Sequence, residues 1–195
     1  MIKEISHQRW LEAQAEERKH HTLSYEEGCE HYGESYKHYF NYTGGKYDLE
    51  CKSVIEIGPA KVAALLFCKN YAPSYIIEPC IYEDVVPYYE NRNITFIREP
   101  AETCNFPQVD EAWLFNVLQH VINPTEIINV CKKNVKTIRF FEPLDWGGDI
   151  AHPHILTLDY FKEQFGDKNV KFYKGGTITK NFHQANCAYG VWNKS

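Results

Sequence analysis

The stretch Ser53-Val54-Ile55-Glu56-Ile57-Gly58-Pro59-Ala60 decides the fold. Its leading residues make a short apolar run bounded by a turn signal, as a strand buried on both faces does. Gly58 lets the backbone bend where a side chain is strained. Pro59 suits the first turn of a helix, where its missing N–H costs nothing. The helix expected after it carries Val62, Ala63, Leu65, Leu66 and Phe67 inward. Strand, turn and helix in that order make the first part of a parallel strand–helix–strand unit.

The same texture continues outward. Ser74-Tyr75-Ile76-Ile77-Glu78-Pro79, Ile94–Ile97, Glu111–Phe115 and Thr137–Phe141 read as further strands. Between the last two, Asn123 caps a helix with Pro124 at its first position, Glu126 at its third and an apolar face of Ile127, Ile128, Val130 and Cys131. Thr157 caps another that carries Leu158, Phe161 and Phe165 and stops at Gly166. Two closing strands, near Val170–Tyr173 and Gln184–Trp192, flank a Gly175-Gly176 turn with no helix between them, so they pair antiparallel. The expected fold class is α/β: a doubly wound, mostly parallel seven-stranded sheet with a reversed last strand, plus N-terminal helices.

Those N-terminal helices occupy residues 1–45, ahead of a main domain at 46–195. Ser6 is a candidate N-cap, and Ser24 with Glu27 forms a capping box. Cys29, Tyr32, Tyr36, Tyr39 and Phe40 then recur at helical spacing as one aromatic stripe, until Thr43-Gly44-Gly45 ends the helix. The stripe reads either as packing against the main domain or as a lid over a ligand cleft.

A chain of 195 residues makes one domain with room for an appendage. With 44% hydrophobic and 24% charged residues it is neither disordered nor collagen-like. No apolar run spans a membrane and no secretory signal leads the chain, so a cytoplasmic location is expected. The seven cysteines show no C-x-x-C pair and read as reduced thiols. A net charge of −5 argues against duplex nucleic acid as a partner.

In open sheets of this kind ligands bind beyond the carboxyl ends of the strands, where strand order reverses. The loops after Ile57, Ile77, Ile97, Phe115 and Phe141 are therefore the candidate site. Gly58 allows close approach to the backbone, and Glu78, 20 residues further on, ends the second strand where a carboxylate can accept both hydroxyls of a ribose. Neither G-x-G-x-x-G nor a phosphate loop is present, which disfavours nicotinamide cofactors and nucleoside triphosphates.

Taken together, these residues resemble the class I S-adenosylmethionine-dependent methyltransferases, over about residues 51 to 192. Val54-Ile55-Glu56-Ile57-Gly58 looks like that family's first glycine motif, and Ile76-Ile77-Glu78 like its ribose-binding strand end. Arg98-Glu99-Pro100-Ala101-Glu102 looks like the loop that lies along the adenine, and Phe115-Asn116-Val117-Leu118-Gln119-His120-Val121 like the end of the fourth strand. Trp10-Leu11-Glu12-Ala13-Gln14-Ala15-Glu16 looks like the prelude of methyltransferases found with sugar and surface-polysaccharide genes.

The resemblance implies a Rossmann-like fold and S-adenosylmethionine as cofactor, held by Glu56, Gly58, Pro59, Ala60, Glu78, Pro79, Ala101, Glu102, Asn116 and Val117, with Tyr36 closing the cleft. Ala60 is a departure, because the family usually has a second glycine there. The acceptor is expected to be a small molecule, a sugar or polysaccharide precursor among the candidates. No Asn/Asp-Pro-Pro-aromatic motif for methylating DNA bases follows the fourth strand.

His120 is the first candidate base, followed by His152 and His154, two apart in an extended loop and so expected to face one way. The long loop 142–154 is the candidate acceptor-recognition element, through Asp145, Trp146 and His154. No metal site is assigned, since His152, His154 and a carboxylate such as Asp145 complete no known ligand spacing. The alternative reading is a non-catalytic module that holds a nucleoside, S-adenosylmethionine or a protein partner on the same fold.

Overall fold

The computed structural model describes residues 2–19, 21–70, 72–80, 82–176 and 185–194. One seven-stranded sheet is built from β1 (Val54–Ile57), β2 (Ser74–Ile77), β3 (Ile94–Ile97), β4 (Val109–Phe115), β5 (Val135–Pro143), β6 (Val170–Tyr173) and β7 (Cys187–Asn193). Their order across the sheet is β3-β2-β1-β4-β5-β7-β6. β1 to β5 run parallel, and β7 lies antiparallel between β5 and β6. The expected doubly wound sheet with a reversed last strand is the observed one. Gln184, where the closing strand was expected to begin, lies outside the described residues.

The helices are α1 (His7–Glu17), α2 (Tyr25–Thr43), α3 (Val86–Glu90), α4 (Pro124–Asn134) and α5 (Leu158–Phe165). Their ends follow the side chains. Ser24 and Glu27 close a reciprocal capping box, and Asn123 accepts the N–H groups of Thr125 and Glu126. Thr157 accepts from Tyr160, and Gly44 ends α2 in the left-handed region that a glycine adopts without strain.

Alternate residues of the strands point to two cores. On one face Ile55, Ile57, Leu114 and Phe140 pack against Ile127, Ile128 and Phe161 of α4 and α5. On the other, Val54, Trp113, Phe115 and Phe141 pack against Tyr36, Tyr39 and Phe40 of α2. Burial on both faces is why β1 reads as an unbroken apolar run. Among the described residues no helix is long and apolar enough to cross a membrane.

One expected helix is replaced. After Pro59 the chain stays irregular until a 3-10 turn at Ala64–Phe67. Ala60 sits at φ 56°, left-handed backbone that cannot belong to a right-handed helix. The Glu56 carboxylate accepts the N–H groups of Ala64 (2.9 Å) and Leu65 (3.0 Å), so the first helical turn starts there instead. Val62, Ala63, Leu65 and Leu66 are still buried, as the apolar pattern requires, while Phe67 is only half-buried.

Candidate functional site

Strand order reverses between β1 and β4, and a cleft of about 390 Å³ opens at the carboxyl ends there. Its wall is Gly58, Pro59 and Ala60 after β1, Glu78 and Pro79 after β2, Ala101 and Glu102 after β3, and Asn116, Val117 and His120 after β4. Tyr32, Tyr36 and Tyr39 of α2 line it from the N-terminal side of the chain. Every residue expected to hold a cofactor is therefore on the wall, with one exception. Glu56 turns away and caps the 3-10 turn.

At Gly58 the loops after β1 and β4 come into close contact. At φ 60° a Cβ on this residue would lie 2.2 Å from Val117 Cγ2, so only glycine lets the β1 and β4 loops meet. Ala60 then donates its N–H to Glu78 Oε2 (3.1 Å), and Cys80 donates to Glu78 Oε1 (2.8 Å). Each carboxylate oxygen keeps a second lone pair, which is what a vicinal diol needs from its acceptor. Burial pushes the Glu78 carboxyl up to about 7, against those two N–H donors.

Tyr36 and Tyr39 are buried in the core as well as lining the cleft, and Tyr36 donates its hydroxyl to the Val62 carbonyl. The aromatic stripe thus packs in the core and also lines the cleft. Glu102 is anchored by the N–H groups of Ile122 and Asn123, and Asn116 accepts from the Gln119 side chain.

His120 lies on the cleft wall, and burial pulls its imidazole down to about 4, so it is neutral near pH 7. Its Nδ1 is 3.1 Å from the Ala151 carbonyl and 3.8 Å from Glu17 Oε2. The two loop histidines do not face one way. His152 packs against His120, ring centroids 4.7 Å apart, and its Nδ1 is 2.9 Å from Asp149 Oδ1. His154 is buried with Nε2 on the Val121 carbonyl, 2.8 Å away.

Asp145, Trp146 and His154, expected to meet the acceptor, are likewise not on the cleft wall. Asp145 and Gly148 tie the loop to itself through Leu156 and His152. The ring of Trp146 rests on His152 with centroids 4.6 Å apart. The loop reaches the cleft wall through His120, by the His152 ring contact and the Ala151 carbonyl.

Sequence reasoning passed over Gln14, Glu17 and His21, all on the wall. Trp10, Gln14, Glu17 and His21 recur at helical spacing, and Trp10 and Ala13 are buried. That apolar-polar stripe was the available signal, hidden by the charges on the other faces of α1. Burial pushes the Glu17 carboxyl up, but the His21 hydrogen bond and the neighbouring imidazoles outweigh it and hold it below the usual range.

No protein-family model and no curated protein matches the sequence. Solved structures do match. A chain in the complex between the Haloferax volcanii Trm112 methyltransferase activator and the putative methyltransferase superposes with TM-score 0.61 at 13% identity, over 97% of this chain and 99% of that one. The N-terminal domain of EvdMO1, solved in the presence of SAH and D-fucose, matches with TM-score 0.58 at 10% identity, over 98% of each chain. The [4+2]-cyclase SpnF matches with TM-score 0.54 at 14% identity, over 72% of this chain and 58% of that one. With its strand order, reversed β7 and cleft position, the chain has the Rossmann-like fold of the class I methyltransferases.

Proposed function

We propose that this protein is an S-adenosylmethionine-dependent methyltransferase acting on a small hydroxylated molecule, of the class of a sugar or polysaccharide precursor. The observation that carries the reading is Glu78: a buried carboxylate on the wall of a nucleoside-sized cleft, beside the Gly58–Ala60 loop, with acceptor capacity left on both oxygens. The acceptor class is supported by EvdMO1, which was solved with SAH and D-fucose. The donor set fits the cofactor. Glu78 would take the ribose hydroxyls, the Ala101–Glu102 loop and Val117 would flank the base, and Tyr36 with Tyr39 would cover the cleft. The cofactor supplies an electrophilic methyl group, and the protein supplies position and exclusion of water. His120, neutral and on the wall, would accept or orient the acceptor's proton.

Calorimetric titration with S-adenosylhomocysteine tests the cofactor. Binding is expected, weakened by ~1–3 kcal/mol in Glu78→Ala through the loss of charge-assisted hydrogen bonds. Unchanged affinity would remove Glu78 from the site. A second reading, binding without methyl transfer, draws on Ala60 in place of glycine and on the cyclase that shares the fold. Transfer of a labelled methyl group into hydroxylated cell metabolites decides between them. Incorporation that falls tenfold or more in His120→Asn supports the transferase.

A further inference from the structure

We propose that Glu17, His120 and His152 bind a divalent first-row transition ion, Zn²⁺ fitting best, at the rim of the cleft. The three come from separate segments: the end of α1, the turn after β4 and the loop after β5. One ligand atom from each lies within 4.8 Å of the others. A tetrahedral ion with bonds of about 2.0–2.1 Å holds neighbouring ligand atoms roughly 3.4 Å apart, so side-chain shifts of about 1 Å close the triad. Two imidazoles and a carboxylate are the donor set of open zinc sites and of non-haem iron sites, whereas Mg²⁺ and Ca²⁺ favour oxygen alone. This is not the His152–His154–Asp145 set that the sequence brings to mind: among the described residues neither His154 nor Asp145 belongs to the cluster.

The surroundings are those of a ligand set. His152 Nδ1 faces Asp149 Oδ1 and Oδ2 at 2.9 and 3.1 Å, which fixes the proton there and leaves Nε2 as the free donor. Glu17 Oε1 is held by His21 Nε2 (2.9 Å), and His21 Nδ1 is in turn 2.9 Å from the Tyr32 hydroxyl. The other oxygen, Glu17 Oε2, is buried without a hydrogen-bond partner and lies nearest His120. A buried carboxylate oxygen with no partner calls for one. Glu17 and His120 line the cleft, so an ion held by the triad would sit at its wall. Ion binding here does not depend on the methyl-transfer reading.

Calorimetric titration of the chelator-stripped full chain with ZnCl₂ tests the site. One ion per chain is expected. Glu17→Gln and His152→Ala each weaken binding tenfold or more, and Asp149→Asn, which touches no ion, weakens it by about 10–100-fold. His7→Ala, outside the triad, binds as the parent does. Co²⁺ in place of Zn²⁺ is expected to give visible absorption without a thiolate charge-transfer band, which separates this triad from the seven cysteines. No binding by the parent chain, equal binding by Glu17→Gln, or a thiolate band overturns the proposal. Glu17→Gln and Asp149→Asn keep side-chain size, so their thermal melts without metal check that folding is intact.

Discussion

Glu56 lies in β1 and Glu78 directly follows the neighbouring β2; both are buried, and burial pushes both carboxyls up to about 7. Their oxygens do different work. Glu56 serves Ala64 and Leu65 under the 3-10 turn, and Glu78 serves Ala60 and Cys80 on the cleft wall. At pH 6, Glu56→Ala is expected to cost about 2–5 kcal/mol of stability, since two buried N–H groups lose their acceptor. Affinity of the folded variant for S-adenosylhomocysteine stays within about twofold. Urea denaturation paired with titration checks this, and an affinity loss at intact stability refutes the assignment. The sequence contains the distinction. Glu56 lies inside β1, so a period of two assigns it to a sheet face, whereas Glu78 follows the last residue of β2 and faces the end of the sheet. Assigning Glu56 to the ligand ignored that parity.

At the scale of elements, the two N-terminal helices are attached differently. α2 contributes Tyr36, Tyr39 and Phe40 to a core shared with β1, β4 and β5. α1 buries only Trp10 and Ala13 and otherwise clasps loops: Arg9 donates to the carbonyls of Asp149 and Ile150, and Gln14 to that of His120. Removing residues 1–18 is expected to leave a cooperatively folding chain with a loosened 145–154 loop. Removing 1–42 is expected to abolish cooperative unfolding, because three aromatic side chains leave one face of the sheet bare. Two similar melting curves for these truncations would show α2 to be an appendage after all. Elements whose ends carry their own signals were legible in the sequence: the apolar strands, the Ser24–Glu27 box, Asn123-Pro124, Gly166. The segment after Pro59 was not, because its conformation depends on a contact to Glu56 and on left-handed Ala60, neither of which leaves a local pattern. The loop histidines failed for the same reason. Their partners, Asp149, His120 and the Val121 carbonyl, are chosen by how α1 and two loops pack together.

Across the whole molecule, buried carboxyls set how stability responds to pH. Glu142 is fully buried beneath the turn that carries His120, where it accepts the N–H groups of Val117 and Leu118. Burial nevertheless pushes it up to about 8, above Glu56 and Glu78 at about 7. A carboxyl whose folded pKa exceeds its unfolded value of about 4.3 holds its proton longer in the native state. Its contribution is complete below the unfolded pKa and is lost as pH rises through the folded one. Each such group lowers stability by at most about 1.4 kcal/mol per pH unit. His120 acts oppositely: pulled down to about 4 by burial, it favours the native state increasingly as pH rises to its unfolded value of about 6.5, then stops changing. Burial pushes the thiols of Cys68, Cys80, Cys104, Cys131 and Cys187 up, so they add to the loss from about pH 7.5, as unfolded cysteine with its pKa of about 8.5 begins to ionise. The carboxyls therefore dominate between about pH 6.5 and 7.5, and above that the thiols add a loss common to parent and variant. The melting temperature, measured with chelator present, is expected to fall across that window. Glu142→Gln, neutral at every pH, is expected to fall less steeply, with its melting temperature crossing above that of the parent by pH 8.5. Parallel curves for the two chains would mean that Glu142 is already ionised in the native state, with its N–H donors outweighing its burial.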